Sequence, residues 1–220
     1  LELTEASGRK VFEELVSISD VVVENFRQGS LERLGYDYEK LKSIRPDIIY
    51  VSMPAFGNSG PWKGYVAYGI GQEQLCGMAH MTGYENDGPM KSGINHGDPI
   101  TGSHAAGLVL AALRYRKKTG KGMFVDVSQQ ESAVSLIGGE VISYQISGSE
   151  PERIGNHSPY FSPHNIYPCS GDDRWVTIAV TNESEWKKLW LLGNKSIILN
   201  EKQFRVYPQE SLFSHVLGQI

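Results

Sequence analysis

Apolar residues at helical spacing open the chain. Within GRKVFEELVSIS (8–19), Val11, Phe12, Leu15, Val16 and Ile18 recur with polar residues between them, which predicts an amphipathic helix. The pattern then changes to DVVVENF (20–26), a β-branched run of the kind a parallel sheet buries on both faces. SLERLGYDYEKLKSIRP (30–46) returns to helical spacing in two pieces broken at Gly35, and DIIYVSM (47–53) repeats the buried-strand pattern. Helix–strand–helix–strand with short connections is a βαβ rhythm. It predicts an α/β fold built on a parallel sheet.

PAFGNSGPWKG (54–64) is a Gly/Pro loop at the C-terminal end of a predicted strand, the edge at which open α/β sheets meet ligands. Residues 65–82 read as a loosely patterned helix, and 83–97 as a long Gly-rich loop of a length often kept for function. The strongest helical pattern covers 99–118. Ala105, Ala106, Leu108, Val109, Leu110, Ala112 and Leu113 make it apolar on most sides, as in a core helix, and Gly120 stops it. MFVDVSQQ (123–130) is a predicted strand, followed by a helical stretch to about 147 and a loop-rich stretch over 148–173. RWVTIAVTN (174–182) is a strand, ESEWKKLWLLG (183–193) a helix capped by Asn182 and stopped at Gly193, and 194–220 is assigned no element. Two domains are expected: a large α/β domain over 1–148, and a linker with part of a small domain over 149–220.

A chain of 220 residues, 40% hydrophobic and 21% charged, has ample length for a sizeable core. Its formal net charge of −4 sets up no basic field for nucleic acid or an anionic membrane, so an anionic ligand must be held by local groups. Cys76 and Cys169 form neither a C-x-x-C site nor a disulfide framework, which points to a reducing compartment such as the cytoplasm. No apolar run reaches the ~20 residues a bilayer span needs. The chain begins at Leu1 and stops at SHVLGQI without a clear terminal element, so a fragment of a longer protein is expected.

The six histidines show no metal-ligand spacing, and no Cys/His/carboxylate cluster supports a metal site. AYGIGQEQ lacks the third glycine and the preceding strand of a dinucleotide fingerprint, TGKGM is not a phosphate loop, and no G-x-S-x-G elbow occurs. The basic run Arg114–Lys121 reads as a solvated helix end.

Two candidates remain. Asp98 directly precedes Pro99 and the long apolar helix, and Asp followed by Pro is a standard helix start. The same carboxylate can be a nucleophile: carboxylates do form covalent intermediates, and N–H groups at a helix start can stabilise an oxyanion on the acyl carbon attacked. Local pattern favours the cap, and the two roles are compatible. The second candidate is ENFRQGSLERLG (24–35), which follows a predicted strand. Arg27 and Arg33 can grip phosphates while Phe26 covers a flat ring; the blander alternative, favoured by local pattern, is exposed arginines in surface ion pairs.

DVVVENFRQGSLERLGYDYEKLKSIRPDIIYVSMPAFGNSGPW resembles the class III CoA-transferase family, which includes formyl-CoA:oxalate and carnitine CoA-transferases and the α-methylacyl-CoA racemases. The likeness continues through MTGYENDGPMKSGINHGDPITGSHAAGLVLAALRYRKKTGKGMFVDVSQQESA to RIGNHSPYFSPHNIYP and DDRWVTIAVTNESEW. It covers residues 5–193 and about half of a typical member. The resemblance implies a Rossmann-like parallel sheet flanked by helices, followed by the start of a smaller α+β domain. It implies that Asp98 is the nucleophile, forming first an acyl–aspartyl anhydride and then an aspartyl-CoA thioester. Asn25, Phe26, Arg27, Arg33 and Leu34 become CoA contacts, and Tyr68 an aromatic beside the thioester. Acyl-CoA and a carboxylic acid are then the substrates, with no metal and no permanently bound cofactor, in an interlocked homodimer. The family's first strand and glycine-containing CoA loop are expected ahead of residue 1. Racemases of the family carry His and Asp where this chain has Tyr68 and Gly69, so transferase is the better branch. Gly69 also replaces an acidic residue common among the transferases. The alternatives are a racemase or epimerase of the same family, and a catalytically inactive CoA-binding fragment.

Overall fold

In the computed structural model, which describes residues 1–192, the elements follow in the order α1 (Ala6–Ile18), β1 (Val21–Glu24), α2 (Ser30–Arg33), α3 (Tyr38–Ile44) and β2 (Ile49–Ser52). Next come α4 (Gly69–Leu75), α5 (Met78–Met81), α6 (Gly97–Thr119), β3 (Met123–Asp126) and α7 (Gln129–Val134). A short 3-10 turn then leads to α8 (Gly138–Ser147), β4 (His164–Pro168), β5 (Trp175–Ala179) and α9 (Glu183–Leu191). The chain divides into two compact units. One comprises Leu1–Gly83 and Gly88–Pro151; the other comprises Tyr84–Asp87 and, of the described residues, 152–192.

The first unit is a mixed α/β fold around a parallel sheet of order β1-β2-β3. All four residues of β2 are buried, and the side chains of this stretch alternate between two cores, as the pleat requires. Ile48 and Tyr50 join Val16, Leu31, Tyr36 and Leu41 on the side of α1 and α3. Ile49 and Val51 join Ala105, Ala112, Val125 and Val127 on the side of α6. The expectation of burial on both faces holds for β2 but not throughout β1. Val21 and Val22 pack toward the two cores, whereas Val23 is 53% exposed.

Three further expectations change. The single helix over 65–82 is two, α4 and α5, because Gly77 turns into the left-handed region at φ 94° and ends the run. Helix α6 buries only a stripe along Gly97, Thr101, Ala105 and Ala112, while Leu108 and Leu110 are exposed, so it is not apolar-packed on most sides. The strand expected over 123–130 ends at Asp126, because Ser128 caps α7 by accepting from Glu131 N at 3.3 Å.

In the second unit β4 and β5 pair antiparallel, from His164 opposite Ala179 to Pro168 opposite Trp175. Strand β4 falls inside the stretch expected to be loop. Asn182 caps α9, as expected, by accepting from Glu185 N at 3.0 Å. Gly193 and the tail 194–220 lie outside the described residues.

Candidate active site

Helix α6 begins at Gly97 with His96 in the cap position, so Asp98 lies inside the first turn instead of capping it. This corrects the capping expectation: Asp98 donates its own N–H to Asn95 O at 3.2 Å, and among the described residues nothing hydrogen-bonds its exposed carboxylate. The carboxylate rests on α4. A Cβ added at Gly69 would collide with Asp98 Oδ2 and lie 3.0 Å from Asp98 Cγ and 2.8 Å from Asn95 Cβ, so only glycine allows this approach. Tyr68, just before α4, is extended and 82% exposed. Folding therefore brings Tyr68, Gly69 and Asp98 together although some thirty residues separate them.

The carboxyl end of the sheet carries three register-matched polar residues: Glu24 opposite Ser52, and Ser52 opposite Asp126. Glu24 orders the segment after β1, accepting from Phe26 N at 2.7 Å through one oxygen and from the Ser52 hydroxyl through the other. Asp126 orders the 54–64 loop. Its carboxylate accepts from Asn58 N at 3.0 Å and from Asn58 Nδ2 at 2.9 Å, and Asn58 Nδ2 also donates to Ser52 Oγ at 3.0 Å. Both loops that follow this edge are thus tied to the strand ends.

The Asn25–Leu34 segment leaves Asn25, Phe26, Arg27 and Arg33 exposed, with Phe26 at 55%. Arg27 donates to Gly64 O at 3.5 Å, and Arg33 donates to Ser30 Oγ at 3.0 Å and Gln28 O at 3.4 Å. Neither arginine forms an ion pair among the described residues. Leu34 turns its side chain to the core under α1. No hydrogen bond or ion pair among the described residues joins Arg33 to Asp98; the segment is tied by Arg27 to Gly64, four residues before Tyr68.

The basic run also needs correction. Arg116 is not solvated: its guanidinium pairs with Asp20 at 2.8 Å and Asp47 at 3.7 Å, tying α6 to the amino ends of β1 and β2. The hydrogen bond from Arg45, with Arg116 nearby, holds the Asp47 carboxyl below its ordinary value against the upward pull of burial.

Two residues that periodicity does not single out belong to the site. Glu73, fully buried on α4, accepts from Ser92 Oγ at 2.6 Å, Ser92 N at 2.9 Å and His96 N at 2.5 Å. Burial pushes its carboxyl up, but these hydrogen bonds and the nearby His96 ring outweigh burial, and the group lies below the ordinary glutamate value of 4.5. Gln72, also fully buried, donates to Gln129 Oε1 at 2.6 Å, and Gln129 donates to Met53 O at 2.7 Å. Nothing in the polar stretch GQEQ signals that two of its side chains are buried. Among the described residues no group of three or more His, Cys, Asp or Glu is placed to hold a metal ion, and no helix is long and apolar enough to cross a membrane.

The sequence matches the model of the family described as CoA-transferase family III over residues 1–211. The chain belongs to CoA-transferase family III. Among its family III relatives, the succinate–glutarate CoA-transferase of Agrobacterium fabrum is 31% identical over 202 residues, covering 91% of this chain and 50% of the relative. The succinyl-CoA–D-citramalate CoA-transferase of Chloroflexus aurantiacus is 32% identical over 189 residues, covering 86% and 47%. The crystal structure of a CaiB/BaiF family protein from Brucella suis superposes with a TM-score of 0.80 at 32% identity, covering 87% of this chain and 50% of that one. The chain spans about half the length of the relatives it matches.

Proposed function

We propose that the protein is a CoA-transferase that moves CoA between an acyl-CoA thioester and a carboxylic acid, with Asp98 as covalent nucleophile. The observation that carries this reading is the Asp98 carboxylate itself, exposed in the first turn of α6 and free of hydrogen-bond partners among the described residues. A carboxylate there to build the helix start would be spent on backbone N–H groups; this one is available to an incoming carbonyl carbon.

The Asp98 oxygen attacks the thioester carbonyl, and the C–S bond breaks to release CoA thiolate and leave an acyl–aspartyl anhydride. Thiolate then attacks the aspartyl carbonyl, expelling the donor acid as its carboxylate and leaving an aspartyl-CoA thioester. The acceptor carboxylate displaces thiolate from that thioester, forming a second anhydride. Thiolate finally attacks the acceptor's acyl carbon and returns Asp98 as carboxylate. Each intermediate keeps the activation of the original thioester, provided water is excluded. In the large α/β domain, Arg27 and Arg33 offer cations to CoA phosphates, Phe26 a face for the adenine, and Asn25 and the Leu34 backbone further contacts. Tyr68 lies beside the thioester. The resemblance supports cytoplasmic action on soluble thioesters, as a homodimer, with no metal and no permanently bound cofactor.

Intact-protein mass spectrometry tests this reading. The chain is incubated with a small panel of acyl-CoAs, quenched with hydroxylamine or borohydride, and compared with Asp98→Asn. A modification mapped to Asp98 and absent from the variant is expected. An unmodified Asp98 in protein that is folded and binds CoA would sink the proposal. Exchange of the α-proton of an acyl-CoA into deuterated water without acyl transfer would instead indicate a racemase.

A further inference from the structure

We propose that the α4 face made by Gly69, Gln72 and Glu73 positions the nucleophile, with Glu73 as its anchoring residue. This inference rests on the reading of Asp98 as nucleophile and deepens it. Residues three and four apart share one side of a helix, and here each of the three meets the 92–98 segment at a different point. Glu73 takes hydrogen bonds from Ser92 and His96. Gln72 packs under Gly97, where an added Cβ would lie 2.5 Å from its Oε1. Gly69 receives the Asp98 carboxylate and the Asn95 Cβ.

The segment turns sharply at Asn95, which sits at φ 52°, in the left-handed region that asparagine tolerates better than most other L-residues. The Glu73 hydrogen bonds bracket it, at Ser92 before and His96 after. The α4 face is itself fixed to the sheet: Gln72 donates to Gln129, which donates to the carbonyl of Met53, the residue after β2. A continuous set of contacts therefore runs from the carboxyl end of the central strand to the reacting oxygen.

A nucleophile displaced by about 1 Å loses on the order of 100-fold in rate, because attack needs the oxygen about 3–3.5 Å from the acyl carbon. Glu73 is chemically suited to anchoring the segment. Both its oxygens accept, whereas an amide in its place turns an N–H₂ toward the Ser92 or His96 N–H and cannot satisfy all three donors. Gly69 offers an independent handle. A methyl group there strikes the Asp98 carboxylate, while the backbone φ lies outside the range that favours glycine.

The experiment measures two quantities on the wild-type chain and on Glu73→Gln, Glu73→Asp and Gly69→Ala: the rate of Asp98 acylation by an acyl-CoA, and the dissociation constant for CoA. Glu73→Gln and Gly69→Ala are expected to slow acylation about 100-fold with CoA affinity unchanged, and Glu73→Asp, which keeps both acceptors, to recover part of the rate. Acylation within about twofold of wild type in both Glu73→Gln and Gly69→Ala, or a loss of CoA affinity that matches the loss of rate, overturns the proposal. Should Glu73→Gln fail to fold, Gly69→Ala decides by the same criteria. A wild-type chain that binds CoA but is never acylated at Asp98 overturns the nucleophile reading and this inference together; normal acylation in the variants of an acylated wild type overturns this inference alone.

Discussion

Two carboxylates lie where one face of α4 meets the 92–98 segment, and they end in opposite environments. Asp98 is exposed and accepts no hydrogen bond among the described residues, whereas Glu73 is buried and accepts three. The first was visible in the sequence, because an Asp-Pro pair ahead of an apolar helix stands out and the family resemblance gave it a role. The second was not, because nothing local in GQEQ tells which polar residues a loop twenty positions later will cover. Arg27 and Arg33 belong to the same scale. As cations without ion-pair partners among the described residues, each is expected on replacement by Ala to weaken CoA binding by about 1 kcal/mol, roughly fivefold in Kd. Isothermal titration calorimetry checks this, and unchanged affinity in the double variant would remove the segment from the CoA site.

At the scale of elements, the starts of α3, α7 and α9 are set by side chains that find backbone donors. Asp37 caps α3 by accepting from Lys40 N at 2.7 Å, so Asp37→Ala should cost about 1 kcal/mol of stability, read from the midpoint of urea unfolding. The 92–96 loop has a pH limit set by Glu73. Its carboxyl titrates lower in the folded protein than in the unfolded chain, so its stabilising contribution is complete above about pH 5 and is lost as pH falls through 4.5 and then through the lower folded value. The groups that face it are His96, whose ring charge favours the anion, and Cys76, whose thiol burial pushes up. The protection of the Ser92 and His96 amides, relative to the intrinsic exchange rate at each pH, should therefore fall in acid before that of the sheet amides of β2, and simultaneous loss of protection would contradict the assignment. The split of 65–82 into α4 and α5 has a backbone cause instead. A left-handed glycine ended a run whose hydrophobic spacing alone did not mark the break.

For the molecule as a whole, stability and ligand affinity draw on different forces. Ile49 of β2 is completely buried against α6, and Ile49→Ala should cost about 2–5 kcal/mol, measured by thermal or urea unfolding. CoA binding should be governed by local cations against a net charge of −4, and so weaken as salt rises. A CoA affinity indifferent to ionic strength between low and high salt would argue against phosphate contacts from Arg27 and Arg33.

The parallel α/β core and most of the order of helices and strands in the first unit followed from residue spacing, because helix and strand periods, caps and breakers act over a few neighbours; the Asp-Pro pair marked Asp98 in the sequence, and the family resemblance gave it a role. Folding had to supply everything that depends on residues distant in the chain. The register aligned Glu24, Ser52 and Asp126 at one sheet edge, and the packing of α4 under the 92–98 segment turned a buried glutamate, a glycine and an exposed aspartate into one constellation. Burial is not a property of any single residue: Glu73 and Val23 exchanged the environments their types suggest because of what did, and did not, pack on top of them.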